Sequence, residues 1–122
     1  MQNNDLYKEL ILEHYHSPHN VGVIENGQVM SMDNPSCGDR VSVSMLLKDG
    51  TVVDARHKTS GCAMCTASAS ILTDFVKGKK ISDIQKLDGA WIQEEMGVEV
   101  SPARLKCILL PLQTVQKVLL AS

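Results

Sequence analysis

The N-terminal part of the chain changes from a helical to an extended pattern of apolar residues. Apolar positions recur at helical spacing behind Asp5, a suitable N-cap, and Pro18 ends the predicted helix. These positions are Leu6, Tyr7, Leu10, Ile11 and Tyr15. Residues 21–24 and 28–33 have extended patterns and flank an Asn-Gly dipeptide, which predicts a turn between them.

The strongest local signal is a β-hairpin in the middle of the chain. Every second residue is apolar on one face of the first predicted strand, and the return strand is predicted over residues 52–59. The apolar positions are Val41, Val43, Met45 and Leu47. Asp49 and Gly50 lie between the strands and tolerate the positive φ values of a tight hairpin turn.

Helical patterns follow the hairpin. Residues 62–77 are rich in Ala, Ser and Thr and precede Gly78, a suitable C′ residue, so this helix can pack close to the sheet. A shorter helix is predicted to begin behind Ser82 as its N-cap and to run through Leu87.

A C-terminal helix is predicted to begin after Ser101 and to run to Leu120. Pro111 lacks a backbone donor, and we expect it to kink or interrupt this helix. The order of one helix, three strands and further helices predicts an α+β fold, with a three-stranded antiparallel sheet packed on one side by helices. The length of 122 residues predicts a single domain over residues 1–122.

Composition excludes several functional classes. Aromatic residues make up 3% of the chain and the net charge is −2, so the sequence lacks the basic stripe and stacking aromatics of a nucleic-acid binder. The N-terminus has no signal-peptide pattern, and no apolar run approaches the ~20 residues that span a membrane. We therefore expect a cytoplasmic protein with reduced thiols, in which four Cys indicate metal or sulfur chemistry.

Two of the cysteines occur at places where a thiolate is favoured. Cys37 is in a predicted turn between strands, where its thiol and the carboxylate of Asp39 can converge. Cys62 begins a helix directly after a strand, and the positive end of the helix dipole lowers a thiol pKa there.

Cys107 lies early in the last helix, just after Arg104 and Lys106, whose charges stabilise a thiolate. A soft metal or a persulfide suits three such thiols, and one carboxylate completes a tetrahedral site. The predicted ligands are Cys37, Asp39, Cys62 and Cys107. The alternative is that each Cys is a buried, inert side chain.

Three motifs and one N-terminal segment resemble the IscU/SufU family, which has the NifU N-terminal type of domain. The motifs are NPSCGD at 34–39, GCA at 61–63 followed by ASAS at 67–70, and RLKC at 104–107. The segment is HYHSPHNVG at 14–22. The resemblance implies the family's α+β fold and a role in iron–sulfur cluster assembly.

The resemblance also implies partners and roles. A cysteine desulfurase supplies sulfur to Cys37 or Cys107, and a transient iron–sulfur cluster or Zn²⁺ binds at the four predicted ligands. Arg104 and Lys106 stand beside the thiols. A downstream cluster carrier or apo-protein receives the product, and neither nucleic acid nor a membrane is expected as a partner.

The branch of the family is not decided by these residues. Lys106 stands where the IscU branch has His, and residues 101–105 replace that branch's chaperone-docking sequence, as in the SufU branch. The segment from 78 to 102 is nevertheless too short for the usual SufU insertion. A scaffold and a zinc-dependent sulfur carrier both stay open.

Two other functional classes fit parts of the sequence. Cys62 and Cys65 form a C-x-x-C at a helix start, which is typical of thiol–disulfide oxidoreductases but leaves the other thiols unexplained. A purely structural zinc domain is the third hypothesis. None of the four histidines is assigned to the site; they are His14, His16, His19 and His57.

Overall fold

The computed structural model describes residues 4–35 and 38–120, with side chains from residue 8 onwards. Its elements are α1 (Asn4–His16), β1 (Gln28–Asn34), β2 (Asp39–Lys48), β3 (Thr51–Ser60), α2 (Ala63–Val76), α3 (Ile81–Ile84), α4 (Gly89–Met96) and α5 (Pro102–Leu120). The strands form an antiparallel sheet in the order β1-β2-β3, which confirms the predicted fold class.

The β2–β3 hairpin follows its sequence signal closely. Asp49 and Gly50 have φ values of 52° and 75°, as a tight turn between twisted strands requires. Alternate β2 residues are buried up to Met45. The register shifts between Leu46 and Leu47, but the alternation continues, since Leu46 is exposed and Leu47 is partly buried.

Helices α2 and α5 pack on the buried face of the sheet, and the main core lies between these layers. The small residues of α2 allow the two helices to approach closely. The Ser68 hydroxyl, which is fully buried, donates a hydrogen bond of 2.7 Å to the carbonyl of Ile108 in α5. A second apolar cluster joins α1 and α4 to this helix pair.

One helix was absent from the sequence prediction. In α4, the carboxylate of Asp88 caps the N-terminus by accepting a hydrogen bond of 3.0 Å from the Trp91 N–H, and Gly97 ends the helix at a φ of 69°. Both residues are ordinary helix boundary signals. The helix is short, with apolar residues interrupted by Glu and Gln, and its two caps were the signal that could have found it.

Three details of the predicted helices were wrong. Asp5 lies inside α1 and Ser82 inside α3, so neither precedes its helix as a cap. Helix α5 continues through Pro111, so the predicted interruption was wrong, while a kink at this residue stays a prediction. The neighbours of Pro111 in sequence, Leu110 and Leu112, are buried, and this packing supplies the stability that the missing backbone hydrogen bond would have given.

Among the described helices, none combines the length and apolar character needed to cross a membrane.

Candidate metal centre

Three of the predicted ligands meet although they are distant in sequence. Asp39 is the first residue of β2, Cys62 is the N-cap of α2, and Cys107 lies in the second turn of α5. One carboxylate oxygen and the two sulfur atoms all lie within 4.8 Å of one another. The chain therefore brings two thiols and a carboxylate together where the first residue of the central strand meets two helices.

Asp39 is held by the start of helix α2. Its side chain is buried, and Oδ1 accepts a hydrogen bond of 3.0 Å from the backbone N–H of Cys62. The other oxygen, Oδ2, lies 4.0 Å from the Cys62 sulfur. Because the N-terminus of a helix favours a negative charge, this position stabilises the carboxylate in its ionised form.

Gly61 makes this arrangement possible. A Cβ atom added at this position would lie 2.3 Å from Asp39 Oδ1 and 2.8 Å from Asp39 Cγ. Any side chain there would occupy the space of the carboxylate. The glycine before Cys62 thus serves the site as well as the end of the strand.

Cys107 faces inward from α5 and is 6% exposed, whereas Cys62 is only partly buried. The Cys107 sulfur lies 3.9 Å from the carbonyl oxygen of Ala103, one turn earlier. Arg104 and Lys106 are exposed, and within the described part of the chain no ion pair joins either cation to the site. Arg104 lines an open groove whose lining includes none of the three candidate ligands, so its effect on the thiols stays a prediction.

The remaining two cysteines have different outcomes. Cys37 lies outside the described residues, so its predicted place in the site stays a prediction. Cys65 is fully buried in the main core, as a packed small side chain would be. The C-x-x-C therefore has one thiol at the candidate site and one in the interior.

The donor set fits a tetrahedral metal ion such as zinc. Zinc–sulfur bonds of ~2.3 Å and zinc–oxygen bonds of ~2.1 Å place neighbouring ligand atoms roughly 3.6–3.8 Å apart. The three ligand atoms are at most 4.8 Å apart. Side-chain adjustments of about 1 Å or less would therefore close the site around an ion.

The histidines lie elsewhere. His57 Nε2 donates to the carbonyl of His19 at 2.9 Å, and its Nδ1 therefore accepts from the Thr59 hydroxyl at 2.8 Å. Burial lowers the pKa of His57 below 6.5 and keeps the ring neutral.

A second group of potential ligands contains His14, His19 and Asp74. Burial, and then the neighbouring His19, lower the pKa of His14. Burial acts to raise the pKa of Asp74, but hydrogen bonds from His19 and Asn20 lower it overall. Sequence patterns missed this group because its members are far apart along the chain.

Comparison with known proteins extends the likeness to the whole fold. The chain is 36% identical to the zinc-dependent sulfurtransferase SufU of Bacillus subtilis, with 92% of this chain and 88% of that protein covered. That alignment spans 129 positions, more than the 122 residues of this chain, so the relative contains additional residues. This chain is also 36% identical to the iron–sulfur cluster assembly scaffold protein IscU of Escherichia coli K12, with 85% of this chain and 84% of that protein covered.

Solved structures agree with this grouping. A scaffold protein assigned to iron–sulfur cluster assembly for the SUF system in Fervidobacterium islandicum AW-1 superposes with a TM-score of 0.77 and 27% identity, over 96% of this chain and 98% of that one. The family model described as the NifU-like N terminal domain matches residues 6–121. The chain therefore belongs to the NifU-like N-terminal domain family.

Proposed function

We propose that this chain accepts sulfur from a cysteine desulfurase and is a scaffold for iron–sulfur cluster assembly. The observation that carries the proposal is the convergence of Asp39, Cys62 and Cys107 within 4.8 Å. Thiolates are the usual protein ligands of these clusters. The product passes to a downstream carrier or an apo-protein, and the need for reduced thiols fits a cytoplasmic location. Residues 1–122 act as one domain in this proposal.

The proposed site has Cys37 as its fourth ligand. This residue precedes Asp39 by two positions, and two residues of chain span at most about 7 Å, so the thiol is within chain reach of the other ligands. Cys37 is the first sulfur acceptor and Cys107 the alternative acceptor. Arg104 and Lys106 precede Cys107 by three residues and one residue, and they stabilise thiolates by their positive charge.

Sulfur enters by thiol–persulfide exchange. The Cys37 thiolate attacks the outer sulfur of a persulfide on the desulfurase, and a new S–S bond forms as the old one breaks. The desulfurase cysteine leaves as a thiolate, so sulfur and charge balance. Two electrons from an external thiol or electron-transfer protein reduce the new persulfide to sulfide, which combines with iron as the second substrate.

Asp39 has a distinct role in this scheme. A carboxylate is a harder ligand than a thiolate and a poorer match for an iron–sulfur cluster. One oxygen-ligated corner therefore makes the bound cluster easier to release. A protein that must pass its cluster on requires such release.

A zinc-dependent sulfur carrier is the second candidate. It is favoured by Lys106, at the position of the IscU-branch His, and by coverage, since the match to the Bacillus sulfurtransferase spans 92% of this chain and the match to the E. coli scaffold 85% at equal identity. The same side chains would hold zinc, which when bound keeps the thiols ionised and ordered. Sulfur exchange at Cys37 would follow the same chemistry.

Anaerobic incubation with a cysteine desulfurase, cysteine and ferrous iron tests both candidates. Visible absorption from a bound cluster, lost in Cys62→Ser and kept in Cys65→Ala, is the result expected for a scaffold. Increased desulfurase turnover with bound zinc and no cluster would identify the carrier instead. If neither occurs and a reversible Cys62–Cys65 disulfide forms, the oxidoreductase hypothesis replaces both.

A further inference from the structure

Two histidines and a carboxylate meet far from the thiol site. His14 is near the end of α1, His19 follows α1, and Asp74 is in the last turn of α2. Cys62 caps the opposite end of α2, and the 12 residues that separate it from Asp74 correspond to about 18 Å along a helix axis. A single ion cannot bridge the two groups.

The geometry of this second group suits a small cation. One nitrogen of each imidazole and one carboxylate oxygen all lie within 4.8 Å of one another. The two imidazole ring centres are 4.6 Å apart, and His19 Nδ1 is 2.5 Å from Asp74 Oδ2. His14 is 7% exposed, whereas the side chains of His19 and Asp74 are 46% and 44% exposed. The group therefore has a buried inner ligand and an outer side that is open to solvent.

Neighbouring side chains hold the three groups in orientation. The Ser70 hydroxyl oxygen lies 2.6 Å from His14 Nδ1 and accepts a hydrogen bond of 2.8 Å from the His19 backbone N–H. The Asn20 amide donates to Asp74 Oδ1 at 2.8 Å, which leaves Oδ2 directed at His19. Such outer hydrogen bonds orient the ligands of metal sites in proteins.

We propose that His14, His19 and Asp74 form a second metal site, which binds a divalent transition ion such as Zn²⁺ independently of the thiols. Imidazole nitrogen and carboxylate oxygen are established ligands of this ion, with bonds of ~2.0–2.2 Å. The ion takes the place of the proton between His19 and Asp74, and these two ligand atoms separate to about 3.3 Å. Three protein ligands leave a fourth position for water.

The competing explanation is a hydrogen-bonded clamp without a metal. Asn20 also donates to the Thr73 hydroxyl at 3.0 Å, and Lys77 donates to the Asn20 side-chain oxygen. These bonds tie the segment after α1 to α2 whether or not an ion binds. Only the clamp explanation predicts that the group has no affinity for zinc.

Zinc stoichiometry under reducing, anaerobic conditions separates the two explanations. We expect Asp74→Asn to bind one zinc equivalent less than the wild type, because the amide keeps an acceptor for Asn20 but removes the ligand oxygen. His19→Gln should have the same effect, with a loss of affinity at this site of at least about tenfold. His16→Ala is the matched control, because His16 is exposed on the same helix as His14 and is outside the group.

Titration with Co²⁺ assigns the lost equivalent. Sulfur-to-cobalt charge-transfer absorption reports the thiol site, and it should be the same in Asp74→Asn and the wild type while the total bound cobalt falls. Circular dichroism verifies that each variant is folded. If Asp74→Asn does not fold, His19→Gln replaces it as the test, because His19 is exposed. An unchanged zinc stoichiometry in either folded variant would overturn the proposal. This readout does not depend on whether the thiol site carries a cluster or zinc.

Discussion

The close contact between Gly61 and Asp39 makes a sharp prediction for Gly61→Ala. The new methyl group would lie 2.3 Å from Asp39 Oδ1, whereas ordinary contacts begin at 3.4 Å. The carboxylate must therefore move by about 1 Å, which exceeds the ~0.2 Å tolerance of a metal–ligand bond. We expect a loss of zinc affinity of about 10–100-fold, comparable to the loss of a group that orients a ligand.

The same displacement should lower stability in the absence of metal. It breaks the hydrogen bond of 3.0 Å from the Cys62 N–H to Asp39 Oδ1. A buried hydrogen bond to a charged group contributes about 1.5–3 kcal/mol to the free energy of unfolding. Urea denaturation of the metal-free protein measures this loss, and competition with a chromophoric chelator measures zinc affinity.

A control and a double variant make the reasoning refutable. Gly50→Ala meets no atom within 4 Å but forces a side chain into a φ of +75°, so it should cost about 1 kcal/mol of stability and leave zinc affinity unchanged. If Gly61→Ala acts through the carboxylate, it should weaken zinc binding little further in an Asp39→Ala background. The reasoning would be contradicted if the losses of zinc affinity caused by Gly61→Ala and Asp39→Ala were fully additive, or if Gly61→Ala kept the wild-type zinc affinity.

Four further predictions concern the site and the core. Asp39→Ala should retain an assembled cluster longer than the wild type, because the oxygen-ligated corner is removed; faster decay of the visible absorption would refute this role. Ser68→Ala should lower the free energy of unfolding by about 1–3 kcal/mol, because the Ile108 carbonyl loses its buried donor, while zinc affinity stays unchanged. Cys65→Ala should leave desulfurase activation at the wild-type level, since this thiol is fully buried in the core. A loss of activation would show that Cys65 takes part in sulfur transfer. Burial lowers the pKa of His57 below 6.5, so as the pH falls this side chain is protonated in the unfolded state before it is protonated in the folded state. The free energy of unfolding should therefore decrease as the pH falls below 6.5. The slope of the free energy of unfolding against pH below 6.5 should be smaller in His57→Gln. An unchanged slope would show that His57 does not cause this pH dependence.

The sequence predicted best those features that depend on local chemistry. Asp49-Gly50 specifies its hairpin turn because few residues tolerate two successive positive φ values, and the alternation from Val41 to Met45 fixes which face is buried. Ser82 failed as a cap because α3 begins one residue earlier, at Ile81, whose N–H donates a hydrogen bond of 2.9 Å to the carbonyl of Gly50 in the hairpin turn.

Side-chain groups assembled from distant segments were predictable only where a family motif marked them. Asp39, Cys62 and Cys107 each belong to such a motif, and their side chains lie within 4.8 Å of one another, while their binding of a metal stays a prediction. His14, His19 and Asp74 were not foreseen, because no local pattern relates the end of α1 to the last turn of α2. The contact of Gly61 with Asp39 likewise depends on how closely the start of α2 approaches the start of the central strand β2.

In the proposed function Asp39 has two tasks, because its carboxylate binds the metal and also accepts a hydrogen bond from the start of α2. A buried carboxylate without compensation destabilises a protein by about 3–5 kcal/mol. Here Oδ1 accepts from the Cys62 N–H while Oδ2 faces the thiol, so the two oxygens serve different partners. When a metal leaves, the helix N-terminus still stabilises the charge. On this proposal we expect release of the metal or cluster to be a local event at the ligands, which leaves the start of β2 and the start of α2 folded.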